Sequence, residues 1–132
     1  MAIPATPSDS SLELDSEFDS EFDMHELLQR TGGDRELLME IAGLFLDDLP
    51  NMVEAIRSAV ESGDASSLER SAHRLKGSIG NFGQGAAHRL AAHLEGCGTA
   101  SDIVAAATAL PELDEALKLF SLALEAVRRP ST

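Results

Sequence analysis

The sequence predicts an all-α protein, and three observations carry that expectation. Apolar residues recur every three to four positions over long stretches, and no run alternates β-branched with polar residues as a half-buried strand would. Apolar residues make up 43% of the chain with no Trp, no Tyr and only five Phe, which leaves aliphatic side chains to build the interior. At 132 residues the chain has room for one core and not for two. The expected arrangement is an antiparallel four-helix bundle, up-down-up-down, with a short additional helix before it.

Residues 1–20 read as an acidic tail outside the fold, and residues 21–129 as the bundle domain. Asp9, Glu13, Asp15, Glu17, Asp19, Glu21 and Asp23 place seven acids in the first 23 residues, where no Lys or Arg occurs. Ser16-Glu17-Phe18-Asp19 repeats at once as Ser20-Glu21-Phe22-Asp23, in a stretch too polar to offset its ordering entropy. Phe18 and Phe22 lie one helical turn apart and offer a docking edge to the body or to a partner.

Asp23 and Glu26 resemble a capping pair for a short helix through about Arg30, ended by Thr31-Gly32-Gly33. Asp34 caps the next helix, whose Leu38, Ile41, Phe45, Leu49, Met52, Val53, Ile56 and Val60 form a stripe up to Gly63; Pro50 should kink or divide it. Asp64 or Ser66 opens the following helix, with Ser66 and Glu69 fitting a capping box and Leu68, Ala72, Leu75, Ile79 and Phe82 as its apolar face. A further helix carries Ala86, Ala87, Leu90, Ala91, Leu94 and Cys97 and should end between Gly96 and Gly98. The last begins near Ser101 or Asp102 and runs to about Arg128, burying Leu110, Leu113, Leu117, Phe120, Leu124 and Val127, with Pro111 bending or restarting it.

Charge and length narrow the functions available. A net charge of −13 argues against general binding to a phosphate backbone, which needs a basic face. Cys97 is the single cysteine and cannot form an internal disulfide. With no run resembling a secretory signal and none near the roughly 20 apolar residues of a membrane span, the expected location is the cytoplasm. No G-x-x-x-x-G-K-[ST] phosphate cradle occurs, and the chain is too short for a nucleotide-binding kinase domain.

The stretch that carries chemistry is Ala72-His73-Arg74-Leu75-Lys76-Gly77-Ser78-Ile79-Gly80-Asn81-Phe82-Gly83. Measured from the apolar stripe, His73 projects at about 140°, Lys76 near 80°, Gly77 near 180° and Gly80 near 120°. The histidine thus faces away from the core, with glycines beside it. Each interior glycine costs a helix roughly 1 kcal/mol relative to alanine, so a requirement from outside the protein is indicated, most clearly at Gly77. Ala87-His88-Arg89-Leu90 repeats Ala72-His73-Arg74-Leu75 and acts as an internal control. Ala91 and Ala92 stand where Lys76 and Gly77 stand in the first copy, so His88, like His25, reads as a surface residue.

These residues resemble the histidine phosphotransfer (HPt) domain motif, H-x-x-K-G-S with a glycine further on, at Ala72, His73, Leu75, Lys76, Gly77, Ser78 and Gly83. Phe22-Asp23, Gly32-Gly33-Asp34, Phe45-Leu46-x-Asp48 and Leu94-Glu95-x-x-Gly98 extend the resemblance over residues 22–128. Ile79 departs from a position that is often small in the family, but it falls on the core stripe. The resemblance implies that His73 accepts a phosphoryl group from the aspartyl phosphate of one receiver domain and passes it to another receiver. It implies a phosphoryl carrier without kinase activity of its own, with magnesium held by the partner receiver and no cofactor bound by this chain.

The residue types suit that task. An imidazole in water titrates near pH 6.5, so its neutral, nucleophilic form dominates at neutral pH. Lys76 can pair with phosphoryl oxygens, Gly77 permits close approach, and Ser78 can bond to the preceding turn or to the phosphoryl group. Arg70, Arg74, Lys76 and Arg89 place four of the ten basic residues near His73, complementary to a carboxylate-built receiver site. Gly80 and Ser78 join them as expected partner contacts, and a monomer is expected.

Three rival readings remain at this level. His93 and Cys97, one turn apart, have a zinc-binding spacing but supply only two ligands. A non-phosphorylated adaptor binding a receiver or kinase is a second, and a fragment of a larger hybrid or chemotaxis kinase is a third.

Overall fold

The structure is a computed structural model that describes residue 29 and residues 31–128, with the side chains of residues 127 and 128 left aside. The acidic tail, Phe18, Phe22, His25, most of the short helix expected through Arg30, and the burial of Val127 therefore lie outside the described residues. Among those residues there are four helices and no strand: α1 (Arg35–Ser62), α2 (Ala65–Gly80), α3 (Ala86–Thr99) and α4 (Ile103–Arg128).

Local chemistry sets the helix ends. Asp34 accepts a hydrogen bond from the backbone N–H of Leu37 at 3.0 Å, and α1 ends at Gly63, whose φ of 71° belongs to the left-handed region that glycine tolerates. Pro50 neither divides α1 nor ends it; it lies exposed within one continuous helix of 28 residues. Of the two caps expected for α2, Asp64 is the one used. It accepts from the Ser67 backbone N–H at 3.0 Å and from the Ser67 hydroxyl at 2.7 Å, and both bonds hold its carboxyl below the usual range. The Ser66 hydroxyl instead accepts from Arg70. Asp102 caps α4 through the Ala105 N–H, and Pro111 lies exposed within that helix without breaking it.

The apolar stripes meet in one interior. Leu38, Phe45, Met52, Ile56, Leu68, Leu75, Ile79, Leu94, Leu113, Leu117, Phe120 and Leu124 are all buried in it. Leu110 is only half-buried, because Ala106 and Ala109 occupy the inner face of that part of α4. Phe45 of α1, Phe82 just beyond α2 and Phe120 of α4 stack edge to face with centroids 5.4 to 6.0 Å apart, closing the interior past the end of α2. Helices α1 and α3 each pack against both α2 and α4. Across α1 and α4, Arg57 donates to Asp114 at 2.6 Å.

Helix α3 runs past its expected end, through Thr99, and Gly98 explains why. A Cβ at Gly98 would lie 2.6 Å from the Glu69 backbone nitrogen and 2.9 Å from the Ala65 carbonyl oxygen. This glycine is thus a contact point between helices rather than a stop signal. The first turn of α2 and the last turn of α3 meet backbone to backbone, and Thr99 donates to Glu69 at 3.0 Å beside them. Gly96, two residues earlier, has open space at the same test. Gly98→Ala should therefore destabilise the protein by about 2 kcal/mol or more through overpacking. Gly96→Ala should be neutral or stabilise it by up to about 1 kcal/mol, and urea denaturation of the two variants measures the contrast.

Candidate functional site

The seam between α2 and α3 carries the site. Ala72, Leu75 and Ile79 on α2, with Ala87, Ala91 and Leu94 on α3, bury one edge of each helix. His73 follows Ala72 directly, so burying Ala72 sends the next side chain outward, and its side chain is 67% exposed. Lys76 follows one turn later on the seam side, and Gly77 lies on the exposed face beyond it.

Glu95 of α3 joins them. His73 Nδ1 donates to Glu95 Oε2 at 2.8 Å, while Lys76 Nζ donates to Glu95 Oε1 at 2.6 Å. The Glu95 side chain is only 22% exposed. The Lys76 bond is the largest influence lowering its pKa and the His73 bond adds to it, and together they outweigh the partial burial that opposes them. A carboxylate only accepts hydrogen bonds, so the proton of a neutral His73 imidazole must sit on Nδ1. The lone pair then belongs to Nε2, the nitrogen left to the solvent side as a nucleophile.

The other sequence-selected residues separate around this centre. Arg74 turns to α1 and donates to Asp48 at 2.8 Å. Arg70 folds back along its own helix onto the Ser66 and Ser67 hydroxyls. Arg89 lies about 120° round α3 from Glu95 by helical rotation, away from the seam. Of the four basic residues expected near His73, Lys76 and Arg74 are each paired to a carboxylate. Ser78 is half-buried and lines an open depression with Ile41, Leu44, Phe45, Asp48, Met52, Asn81 and Phe82. Gly80 faces the ring of His88, which is half-buried against it rather than free on the surface.

The glycines answer differently from one another. A Cβ at Gly77 would meet nothing within 4 Å, and one at Gly80 would only touch the His88 ring at an ordinary 3.6 Å. Among the described residues nothing therefore requires a glycine at position 77. His93 and Cys97 do approach, with Nε2 and Sγ 3.7 Å apart, but no third ligand joins them among the described residues. Burial, aided by the Asp102 charge, pushes the Cys97 thiol up, away from the thiolate that binds metal.

Glu95 is the residue that the sequence-based choice of site residues left out. Its signal was present, since it is the only acid on α3. Its partner was not readable, because meeting His73 depends on the inter-helix register that Gly98 and the turn at residues 81–85 set.

The profile of the Hpt domain family matches residues 40–129, more than two thirds of the chain. The protein belongs to the Hpt domain family. Membership implies a phosphotransfer role in phosphorelays, in which Hpt domains work with receiver-domain partners. No curated protein and no solved structure matches the chain. Among the described residues no helix is long and apolar enough to cross a membrane.

The double bond to Glu95 has a measurable signature. Lys76→Met should raise the Glu95 carboxyl pKa toward its ordinary value of 4.5, because it removes the largest influence lowering it. The sign for stability follows: a depressed carboxylate stabilises the fold fully above its unfolded pKa and loses that contribution as pH falls through its folded value. In Lys76→Met the contribution should be smaller and its loss complete at a higher pH, because the folded pKa moves up toward the unfolded one; carbon NMR titration of the Glu95 carboxyl reads that rise.

Proposed function

We propose that this protein is a phosphoryl carrier in which His73 takes a phosphoryl group from a receiver's aspartyl phosphate and hands it to the aspartate of another receiver. The observation that carries this reading is the geometry at Glu95: an exposed imidazole whose Nδ1 is bonded, leaving Nε2 as the nucleophile. In the forward step the Nε2 lone pair forms the N–P bond as the aspartyl O–P bond breaks, and the aspartate leaves as a carboxylate. The reverse step restores the neutral imidazole. Positive charge that builds on the ring is met at Nδ1–H by Glu95, and Lys76 swings from Glu95 toward the phosphoryl oxygens.

The fold in this reading is an antiparallel up-down-up-down bundle with a short helix preceding α1, in a monomeric, cytoplasmic protein. Opposed pairing across the seam supports the antiparallel sense: Glu69 meets Thr99, His73 meets Glu95 and Gly80 meets His88. Gly77, Ser78, Gly80, Arg70, Arg74 and Arg89 serve the docked partner, with Gly77 giving the closest approach. Magnesium belongs to the receiver, where it supplies charge neutralisation for the transferring group, and no cofactor is bound by this chain.

Two variants test the reading together. Phosphorylated receiver should label the wild type with an acid-labile, alkali-stable phosphate and leave His73→Gln unlabelled; equal labelling of both refutes the assignment. Gly77→Ala should raise stability by about 1 kcal/mol and yet slow the transfer. An unchanged transfer rate in that variant removes the close-approach role.

A further inference from the structure

The α2–α3 seam holds a second imidazole with no assigned task. His88 lies seven residues before Glu95 on α3, which places it about 10.5 Å along the helix and about 20° round it. Its ring meets Gly80 edge-on, with Cδ2 and Nε2 each 3.6 Å from the position of a Cβ there. Nδ1 is the ring vertex opposite that edge. No described residue makes a hydrogen bond or ion pair with this half-buried ring. Gly77, with open space over it, lies on α2 between the level of His73 and that of His88.

A specific interface buries about 800 Å² per partner, a patch of about 16 Å radius. A residue about 10 Å from the phosphoacceptor lies well inside that patch. A receiver seated squarely over His73 therefore extends to the level of His88. Once covered, an imidazole N–H without a partner loses its water, so a receiver that presents an acceptor there is favoured over one that does not.

We propose that His88 is a specificity-determining contact for the receiver seated over His73, offering a ring N–H to a carboxylate or backbone carbonyl of that receiver. The proposal rests on the phosphotransfer reading above. His88 acts on docking and not on the reacting atoms, which distinguishes it from Glu95.

The test compares two phosphodonors on wild type, His88→Phe and His88→Gln. Phosphoramidate is a small donor that labels histidine without docking, while a phosphorylated receiver must dock. Phenylalanine keeps a ring over Gly80 without its nitrogens, and glutamine restores a donor. The expected result is unchanged phosphoramidate labelling and thermal stability in both variants. The KM for receiver should rise about three- to tenfold in His88→Phe, with partial recovery in His88→Gln and kcat unchanged. An unaltered KM in His88→Phe overturns the proposal, as does equal slowing with both donors or unfolding of both variants, which assigns the ring to packing. Wild-type protein labelled by neither donor refutes the phosphotransfer reading itself.

Discussion

One carboxylate shared between two hydrogen-bond donors of α2 is the interaction on which the site depends. Glu95 holds His73 Nδ1 with one oxygen and Lys76 Nζ with the other. Those two bonds fix which ring nitrogen carries the proton, the direction in which the imidazole points, and the resting place of the ammonium. Partial burial of Glu95 strengthens both by limiting competition from water.

That carboxylate reaches its partners only because α2 and α3 lie close together, and the closeness is a backbone matter. Gly98 lets α3 touch the first turn of α2, and alanines at 87 and 91 keep the two helices near each other further along. At the far end the Phe45, Phe82 and Phe120 rings close the interior. The seam is thus anchored at both ends, with the polar site between them. Small residues here are divided by purpose: Gly98 serves the protein's own packing, while a Cβ at Gly77 would meet no neighbour among the described residues.

Much of this was legible in the sequence, for definable reasons. The helical class and four helices followed from stripes of period 3.6, and Asp34, Gly63 and Asp64 marked ends through local hydrogen bonding and backbone conformation. His73, Lys76 and Gly77 stood out because residues three and four apart share a helix face. Glu95, His88 and Gly98 were visible in the sequence but their contacts were not, since each acquires its meaning from the neighbouring helix and register between helices is not a local property. The same limit holds for Arg74, whose partner Asp48 lies on α1.

With Nδ1 held by Glu95, Nε2 of His73 is the proposed phosphoryl acceptor. Phosphorus–nitrogen coupling in protein labelled with ¹⁵N-histidine and phosphorylated by a receiver tests it most directly. The expected result is a single phosphohistidine coupled through Nε2, with the Nδ1 proton retained. Coupling through Nδ1 would contradict it.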